Sequence, residues 1–167
     1  RQRVYSDVGF MLLGKAVETI AQDSLDAFCR RRIFEPLGMS RTRFQPPSSW
    51  WENTAATEQC AWRRRVVIGE VHDENAYAVG GVAGHAGLFS TAADLATFCR
   101  ALMSGKILKP TTLAEMISMD KVPTYPWQGL GWLVDPWPTK LQGYLPSRAT
   151  IGHTGWTGTS IWMDTES

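Results

Sequence analysis

Two kinds of hydrophobic periodicity follow one another along this chain, and their order constrains the fold more than any other feature. Apolar residues recur at helical spacing in residues 8–21, after Ser24 and again in residues 90–102. Three runs in the last third are typical of strands instead: Leu130–Val134, Ala149–His153 and Gly158–Met163. Helices followed by strands predict an α+β fold, or the rear portion of a larger mixed α/β fold.

The helix predicted over residues 8–21 carries apolar side chains nearly all the way round. A helix with so little polar face is typical of a protein core, so we expect it to be mostly buried. The next helix is predicted to begin at the N-cap Ser24 and to run through Ile33, until Pro36 and Gly38 stop it.

Four glycines fall within the ten residues Gly80–Phe89. This density predicts a backbone that enters positive φ or passes close to another chain segment. Thr91 and Asp94 follow at capping-box spacing and predict the start of a helix that Gly105 ends. A short helix is predicted after it, over Thr111–Met119.

The composition excludes several classes of protein. With 167 residues, 44% of them hydrophobic, and a net charge of +1, the chain can bury a core and is not of the disordered class. Charged residues interrupt its best apolar stretch, which argues against a transmembrane anchor. The balance of 17 basic and 16 acidic residues argues against a nucleic-acid partner. We interpret Arg30–Arg32 and Arg63–Arg65 as solvated surface, and Cys29, Cys60 and Cys99 as buried free thiols.

The organisation of the chain points to part of a larger unit. We expect residues 1–167 to form a partial domain, with residues 45–65 as a long surface excursion where periodicity fades into Pro, Ser, Trp and Arg. The chain opens at Arg1 without an initiator Met or a signal peptide, and it closes within the strand pattern Ile161–Asp164. The expectation is a polypeptide that is incomplete at both ends.

Two short segments carry candidate chemistry. The first is Tyr5-Ser6-Asp7, directly before the first predicted helix, and the second is His153–Gly158, between two predicted strands. Taken alone, the first indicates a helix start with Ser6 or Asp7 as N-cap, and the second indicates a strand that enters a turn.

Their order along the chain gives them more weight. Tyr5–Gly14, Ser24-Leu25, Ile33–Thr42 and Gly81–Leu95 together closely resemble the serine β-lactamase and penicillin-binding-protein-like family. The resemblance is to the branch of class C β-lactamases, DD-peptidases and related esterases, and it covers nearly the whole chain except Trp50–Arg65. It implies the β-lactamase/transpeptidase-like fold, an antiparallel sheet with helices, of which this chain is the middle and rear portion.

The resemblance implies a role for the first segment. Tyr5 matches the family's tyrosine base, which moves a proton between nucleophile and leaving group. A phenol with an ordinary pKa of about 10 is a poor base at neutral pH, so this role needs nearby cations or a lysine. Asp7 stands where the family usually has Asn, in a substrate-binding position. A carboxylate there replaces the hydrogen-bond donor of an amide.

The resemblance also implies roles for the second segment. His153, Thr154 and Gly155 match the strand triad, with His in place of the commoner Lys, so that its charge depends on pH near about 6.5. Trp156 matches the residue whose backbone N–H donates to the oxyanion. Thr154 and Gly155 are expected to bind substrate, and His85 is expected to line the same cleft.

The family's Ser-x-x-Lys nucleophile does not precede Tyr5 in this sequence. The formal match Ser118-Met119-Asp120-Lys121 comes after Tyr5 and runs into Val122-Pro123, so we reject it. We therefore expect the intact parent to be a serine hydrolase that acts through an acyl-enzyme, and this chain alone to be inactive. The alternative is a non-catalytic relative used for binding or scaffolding, which Asp7 and the absent Ser-x-x-Lys motivate.

No cofactor or metal is expected, because His72, His85 and His153 have no zinc-binding spacing. The resemblance does not decide among β-lactam, ester and D-alanyl peptide as the small-molecule or peptidoglycan-like substrate. His153 and Asp7 favour the hypothesis of an esterase or a peptidase. We expect self-association through open sheet edges, or completion by a missing N-terminal segment. The compartment stays open, with family habit suggesting the periplasm or the exterior.

Overall fold

The computed structural model describes residues 5–118, 128–135 and 147–166. The helices are α1 (Asp7–Ala21), α2 (Leu25–Cys29), α3 (Glu35–Leu37), α4 (Glu74–Ala78), α5 (Ala92–Met103) and α6 (Pro110–Met116). The strands are β1 (Arg43–Phe44), β2 (Gln59–Cys60), β3 (Arg65–Val66), β4 (Leu88–Phe89), β5 (Leu133–Val134), β6 (Thr150–Thr154) and β7 (Ser160–Asp164). A π-helical turn joins α2 to α3 (Arg30–Phe34), and a 3₁₀ helix follows β1 (Ser48–Asn53).

The chain divides into two compact units, one of residues Tyr5–Thr97 and one that includes Phe98–Ser167. In the first unit, β1 pairs with β4 and β2 pairs with β3, both antiparallel. In the second unit, β5, β6 and β7 form an antiparallel sheet in that order. The predicted succession of helices and then strands is confirmed, although short strand pairs also occur in the first unit.

Helix α1 forms where the sequence predicts it, but it is not mostly buried. Ser6 is the N-cap, and its Oγ accepts a hydrogen bond from the N–H of Gly9. The residue buried in α1 is Gly14, whereas Leu12 is 65% exposed and Ile20 is 85% exposed. The helix contacts the rest of its unit through the narrow side that carries Gly14. The prediction of a buried helix is therefore wrong for the described residues.

The second predicted helix is confirmed as one helical run with a change of pitch. The side chain of Ser24 accepts from the N–H of Ala27 at 3.2 Å, and Gly38 ends the run at φ 68°. Between these caps, the N–H of Glu35 donates to the carbonyl of Arg30, the spacing of a π turn. Pro36 lies within the last helical segment, one residue before that segment ends at Leu37, and Gly38 in the left-handed conformation then ends the run.

The core of the second unit lies between its sheet and α5 with α6. Leu102 of α5, Val134 of β5, Ile151 of β6 and Met163 of β7 are buried together. Gly105 follows α5 at φ 77°, and the next N–H, of Lys106, donates back to Ala101 at 2.9 Å. These observations confirm the predicted helix end. The last residue of the helix predicted over Thr111–Met119 lies outside the described residues.

The three cysteines are free thiols, but they are not equally buried. Cys60 is buried, while Cys29 and Cys99 are half-buried. Burial raises the pKa of the thiols of Cys29 and Cys99 above its ordinary value. The prediction of buried thiols thus holds fully for Cys60. In the part of the chain that the structure describes, no helix combines the length and the apolar character that crossing a membrane needs.

Candidate active site

The first candidate segment lies at the amino end of α1. Tyr5 directly precedes the N-cap Ser6 and is 62% exposed. Asp7 is in the first turn of the helix, where its negative charge faces the positive end of the helix dipole. This favourable position gives Asp7 a structural reason to be there. The position of the amino end of α1 therefore sets the backbone positions of Tyr5 and Asp7.

The glycine-rich loop, Gly80–Gly87, lies against α1. Gly80, Gly81 and Gly87 all have positive φ, which confirms the prediction. A Cβ on Gly84 would overlap the carbonyl oxygen of Phe10 and would lie 3.1 Å from the nitrogen of Gly14. The loop thus approaches the helix so closely that only glycine fits at residue 84.

A histidine and a carboxylate connect this loop to α4. The Nε2 of His85 lies 2.8 Å from Oδ1 of Asp73, and the side chain of His85 is 5% exposed. The same carboxylate caps α4 by accepting from the N–H of Ala76 at 2.7 Å. Burial by itself raises the pKa of the Asp73 carboxyl, but the bonds from Ala76 and His85 hold that pKa below its usual range.

The lowered pKa of Asp73 predicts acid sensitivity of the first unit. A carboxyl with a depressed folded-state pKa contributes stability above its ordinary pKa of about 4, and the contribution is lost as pH falls through the folded-state value. In urea unfolding experiments between pH 7 and pH 3, we expect the free energy of unfolding to decrease once the pH is lower than about 4. Asp73→Asn should be less stable at pH 7 and should flatten this acid slope. An unchanged slope in the variant would contradict the assignment.

Arg63 corrects the interpretation of the second basic triplet. Its side chain is 3% exposed and forms an ion pair with Glu70 at 3.1 Å. The guanidinium donates to the carbonyls of Val71 and His72, and it lies 4.5 Å and 4.3 Å from the ring centroids of Trp62 and Tyr77. Arg63 is thus enclosed by aromatic rings and is not solvated surface. No local pattern signals this, because Tyr77 is distant in sequence.

Asp94 forms only half of the predicted capping box. Its N–H donates to Oγ1 of Thr91 at 3.2 Å, as predicted. The carboxylate instead accepts from the N–H of Arg41 and from Oγ1 of Thr42, both at 2.8 Å. The side chain therefore ties the start of α5 to the segment before β1, a link that sequence reasoning missed.

The second candidate segment is a hairpin at the end of β6. Thr154 pairs with Ser160, and the loop between them closes where the N–H of Gly155 donates to the carbonyl of Thr159 at 2.6 Å. His153 is half-buried, and its Nδ1 lies 2.6 Å from the carbonyl of Thr154. Trp156 occupies the loop with its side chain 93% exposed.

The structure therefore forms two groups of candidate residues. Tyr5 and Asp7 lie at the start of α1, in the same unit as His85. His153, Thr154, Gly155 and Trp156 are consecutive in one hairpin of the other unit. The side chains of His72 and His85 are each paired with a carboxylate, of Glu58 and Asp73 respectively. Lys121 of the rejected Ser118 motif lies outside the described residues.

Comparison with known proteins assigns the chain to a family. The beta-lactamase family model matches residues 1–167. A proposed D-alanyl-D-alanine carboxypeptidase of Salmonella schwarzengrund is 37% identical over 98% of this chain and 42% of its own length. The chain belongs to the beta-lactamase family, which confirms the resemblance. It spans less than half the length of this curated relative.

Solved structures show the same fold. A beta-lactamase of Mycobacterium bovis aligns with 99% of this chain and 53% of its own chain, at a TM-score of 0.65 and 23% identity. An octameric penicillin-binding protein homologue of Pyrococcus abyssi aligns with 99% of this chain and 36% of its own, at a TM-score of 0.67 and 22% identity. The predicted β-lactamase/transpeptidase-like fold is confirmed.

Proposed function

We propose that this chain is part of a longer serine hydrolase that forms an acyl-enzyme with peptides ending in D-alanine. The observation that carries the proposal is the β6–β7 hairpin, which presents His153-Thr154-Gly155-Trp156 in a chain of the beta-lactamase family. The substrate class is supported by the 37% identical relative, a proposed D-alanyl-D-alanine carboxypeptidase. A D-amino acid amidase of Ochrobactrum anthropi has the same fold, at a TM-score of 0.61.

The nucleophile of this proposal is the serine of a Ser-x-x-Lys segment outside the 167 residues. The serine hydroxyl attacks the peptide carbonyl and passes its proton to the oxygen of Tyr5, while the phenol proton moves on to the lysine amine. The tetrahedral intermediate then collapses, the leaving D-alanine nitrogen takes the proton from Tyr5, and the lysine returns a proton to the phenol oxygen. Water then attacks the acyl-enzyme and gives its proton to Tyr5. Tyr5 passes a proton to the serine oxygen, which leaves and releases the shortened peptide. Tyr5 at the start of α1 is exposed enough to serve both steps.

The hairpin of β6 and β7 supplies electrostatic stabilisation in the same scheme. The backbone N–H of Trp156 donates to the oxyanion, a contribution of about 3–4 kcal/mol when the donor is preorganised. His153 contacts the substrate carboxylate, and Thr154 with Gly155 aligns the substrate beside the strand end. Asp7 is two residues after Tyr5, and its carboxylate favours substrates that carry a hydrogen-bond donor.

The test of the proposed function uses the longer protein. We expect release of D-alanine from a peptide ending in D-alanyl-D-alanine to exceed turnover of nitrocefin and of a short nitrophenyl ester. Intact-mass analysis with penicillin should show one adduct on a serine upstream of Tyr5. Faster turnover of nitrocefin or of the ester would reassign the substrate. A protein with neither adduct nor turnover would be the non-catalytic relative that Asp7 motivates.

The exposed side of α1 supports completion by the rest of such a protein. Val8, Leu12, Leu13 and Ile20 are each at least 61% exposed, and they form the apolar face of α1 on the side away from Gly14. Apolar stripes of this size on a helix are normally covered by protein. We propose that the segment bearing Ser-x-x-Lys covers this face.

In the 167-residue chain by itself, the apolar face of α1 should drive self-association. Leu12→Glu places a charge on that face, so it should shift the chain towards monomer in analytical ultracentrifugation at micromolar concentration. Ala114→Glu introduces the same charge at an exposed position of α6 and should leave the distribution unchanged. Equal effects of the two substitutions would exclude the α1 face as the contact.

A further inference from the structure

The close contact between the glycine-rich loop and α1 couples the position of one to that of the other. Gly84 lies against the backbone of α1, at Phe10 and Gly14, with no room for a side chain between them. Contacts between two backbones are stiff, because neither side can relax by changing a rotamer. A shift of residue 84 would therefore shift α1, the helix whose amino end follows Tyr5.

The loop itself has little conformational preference of its own. Gly80, Gly81 and Gly87 adopt positive φ, and glycine loses more backbone freedom on ordering than any other residue. Hydrogen bonds hold the loop to α4 at both of its ends. Near the start of the loop, the N–H groups of Gly80 and Gly81 donate to the carbonyls of Tyr77 and Ala76 at 3.0 Å and 2.7 Å. Near its end, His85 bonds to Asp73.

The hydrogen bond between His85 and Asp73 holds the neighbouring residue 84 in position. His85 is the next residue in the chain, and its side chain is 5% exposed. Asp73 is itself held by the N–H of Ala76 at the start of α4. The Nδ1 atom of His85 is buried without a hydrogen-bond partner, so the Asp73 bond is the polar contact that orients the ring.

We propose that His85 is a positioning residue, which sets the place of Tyr5 through Gly84 and α1 and does not touch the substrate. This inference rests on the proposed function, because it assigns His85 a part in the reaction of Tyr5. It replaces the cleft-lining contact that the resemblance implies. The buried ring and its bond to Asp73 carry the reassignment, since Nε2 is already occupied on the protein side.

The experiment compares two substitutions at residue 85 in the longer protein. His85→Gln keeps a donor near the position of Nε2, whereas His85→Leu removes it. We expect His85→Leu to lower kcat at least tenfold with KM within about threefold, and to speed amide exchange in α1. His85→Gln should recover kcat to within about threefold of the natural protein. The matched control His72→Leu removes a histidine that is paired with Glu58 and not with a residue of the glycine-rich loop, and it should leave kcat within about twofold.

A double substitution separates positioning from general destabilisation. If His85 acts through Tyr5, His85→Leu should lower kcat little further in a Tyr5→Phe background. Both substitutions then remove the same contribution to catalysis, that of the Tyr5 hydroxyl. Fully multiplicative effects, or equal kcat for His85→Gln and His85→Leu, would overturn the inference. Circular dichroism at the assay temperature confirms that each variant is folded. An unaffected kcat in Tyr5→Phe alone would instead overturn the proposed function.

Discussion

Replacing Tyr5 by phenylalanine in the longer protein should lower kcat by about 10²–10⁴-fold, the usual effect of losing a positioned general base. The ring stays in place and only the phenol oxygen is lost, so KM should change little. Steady-state release of D-alanine measures both constants. Tyr5 lies directly before the N-cap of α1 and is 62% exposed, so the substitution should leave the free energy of unfolding unchanged within about 0.5 kcal/mol.

The matched control for this prediction is Tyr77→Phe. Tyr77 is also partly exposed, and its ring contacts Trp62 and the guanidinium of Arg63. Removing its hydroxyl keeps both ring contacts, so kcat should stay within about twofold. A comparable loss of kcat in both variants would mean that the effect at Tyr5 is not specific to the site.

The largest expected effect on stability comes from Gly84→Ala. A Cβ at this position would overlap the carbonyl oxygen of Phe10, which belongs to the backbone of α1 and cannot turn away. Relieving the overlap requires the helix or the loop to move, at a cost of about 3 kcal/mol. Urea unfolding followed by circular dichroism measures this loss, which should appear as a lower midpoint with an unchanged slope.

The same helix provides the control for that substitution. Gly9 of α1 has space for a Cβ, since the nearest atom, of Ser6, is 4.0 Å away. Gly9→Ala should therefore stabilise the chain by about 0.5–1 kcal/mol, as replacing a helical glycine usually does. If Gly84→Ala were also neutral or stabilising, the close approach of loop and helix would not exist in solution.

The sequence predicts those features of the fold that depend on local signals. The caps at Ser24 and Gly105 and the positive φ values of the glycine-rich loop follow from the residue types themselves. The hairpin of β6 and β7 follows from short alternating runs around a turn. Each of these signals lies within a few residues of the feature that it predicts, so a single sequence is enough to find it.

Features that depend on distant contacts are the ones that local patterns miss. The exposure of Leu12 and Ile20 reflects what packs on α1, which helical periodicity does not report. The enclosure of Arg63 depends on Tyr77, and the role of the Asp94 carboxylate depends on Thr42. In the candidate site, the family resemblance makes Tyr5 and His153 candidates, but the bond of His85 to Asp73 becomes visible only in the structure.

The contact of Gly84 with α1 also has a consequence for the order of synthesis. Helix α1 leaves the ribosome about seventy residues before Gly84 does, so for that interval the side of the helix that carries Gly14 lacks the loop that packs on it in the folded unit. Non-local contacts of this kind slow folding, and a nascent apolar helix without its partner is exposed to wrong associations. We therefore expect the contact between α1 and the glycine-rich loop to form only after residue 84 has emerged from the ribosome.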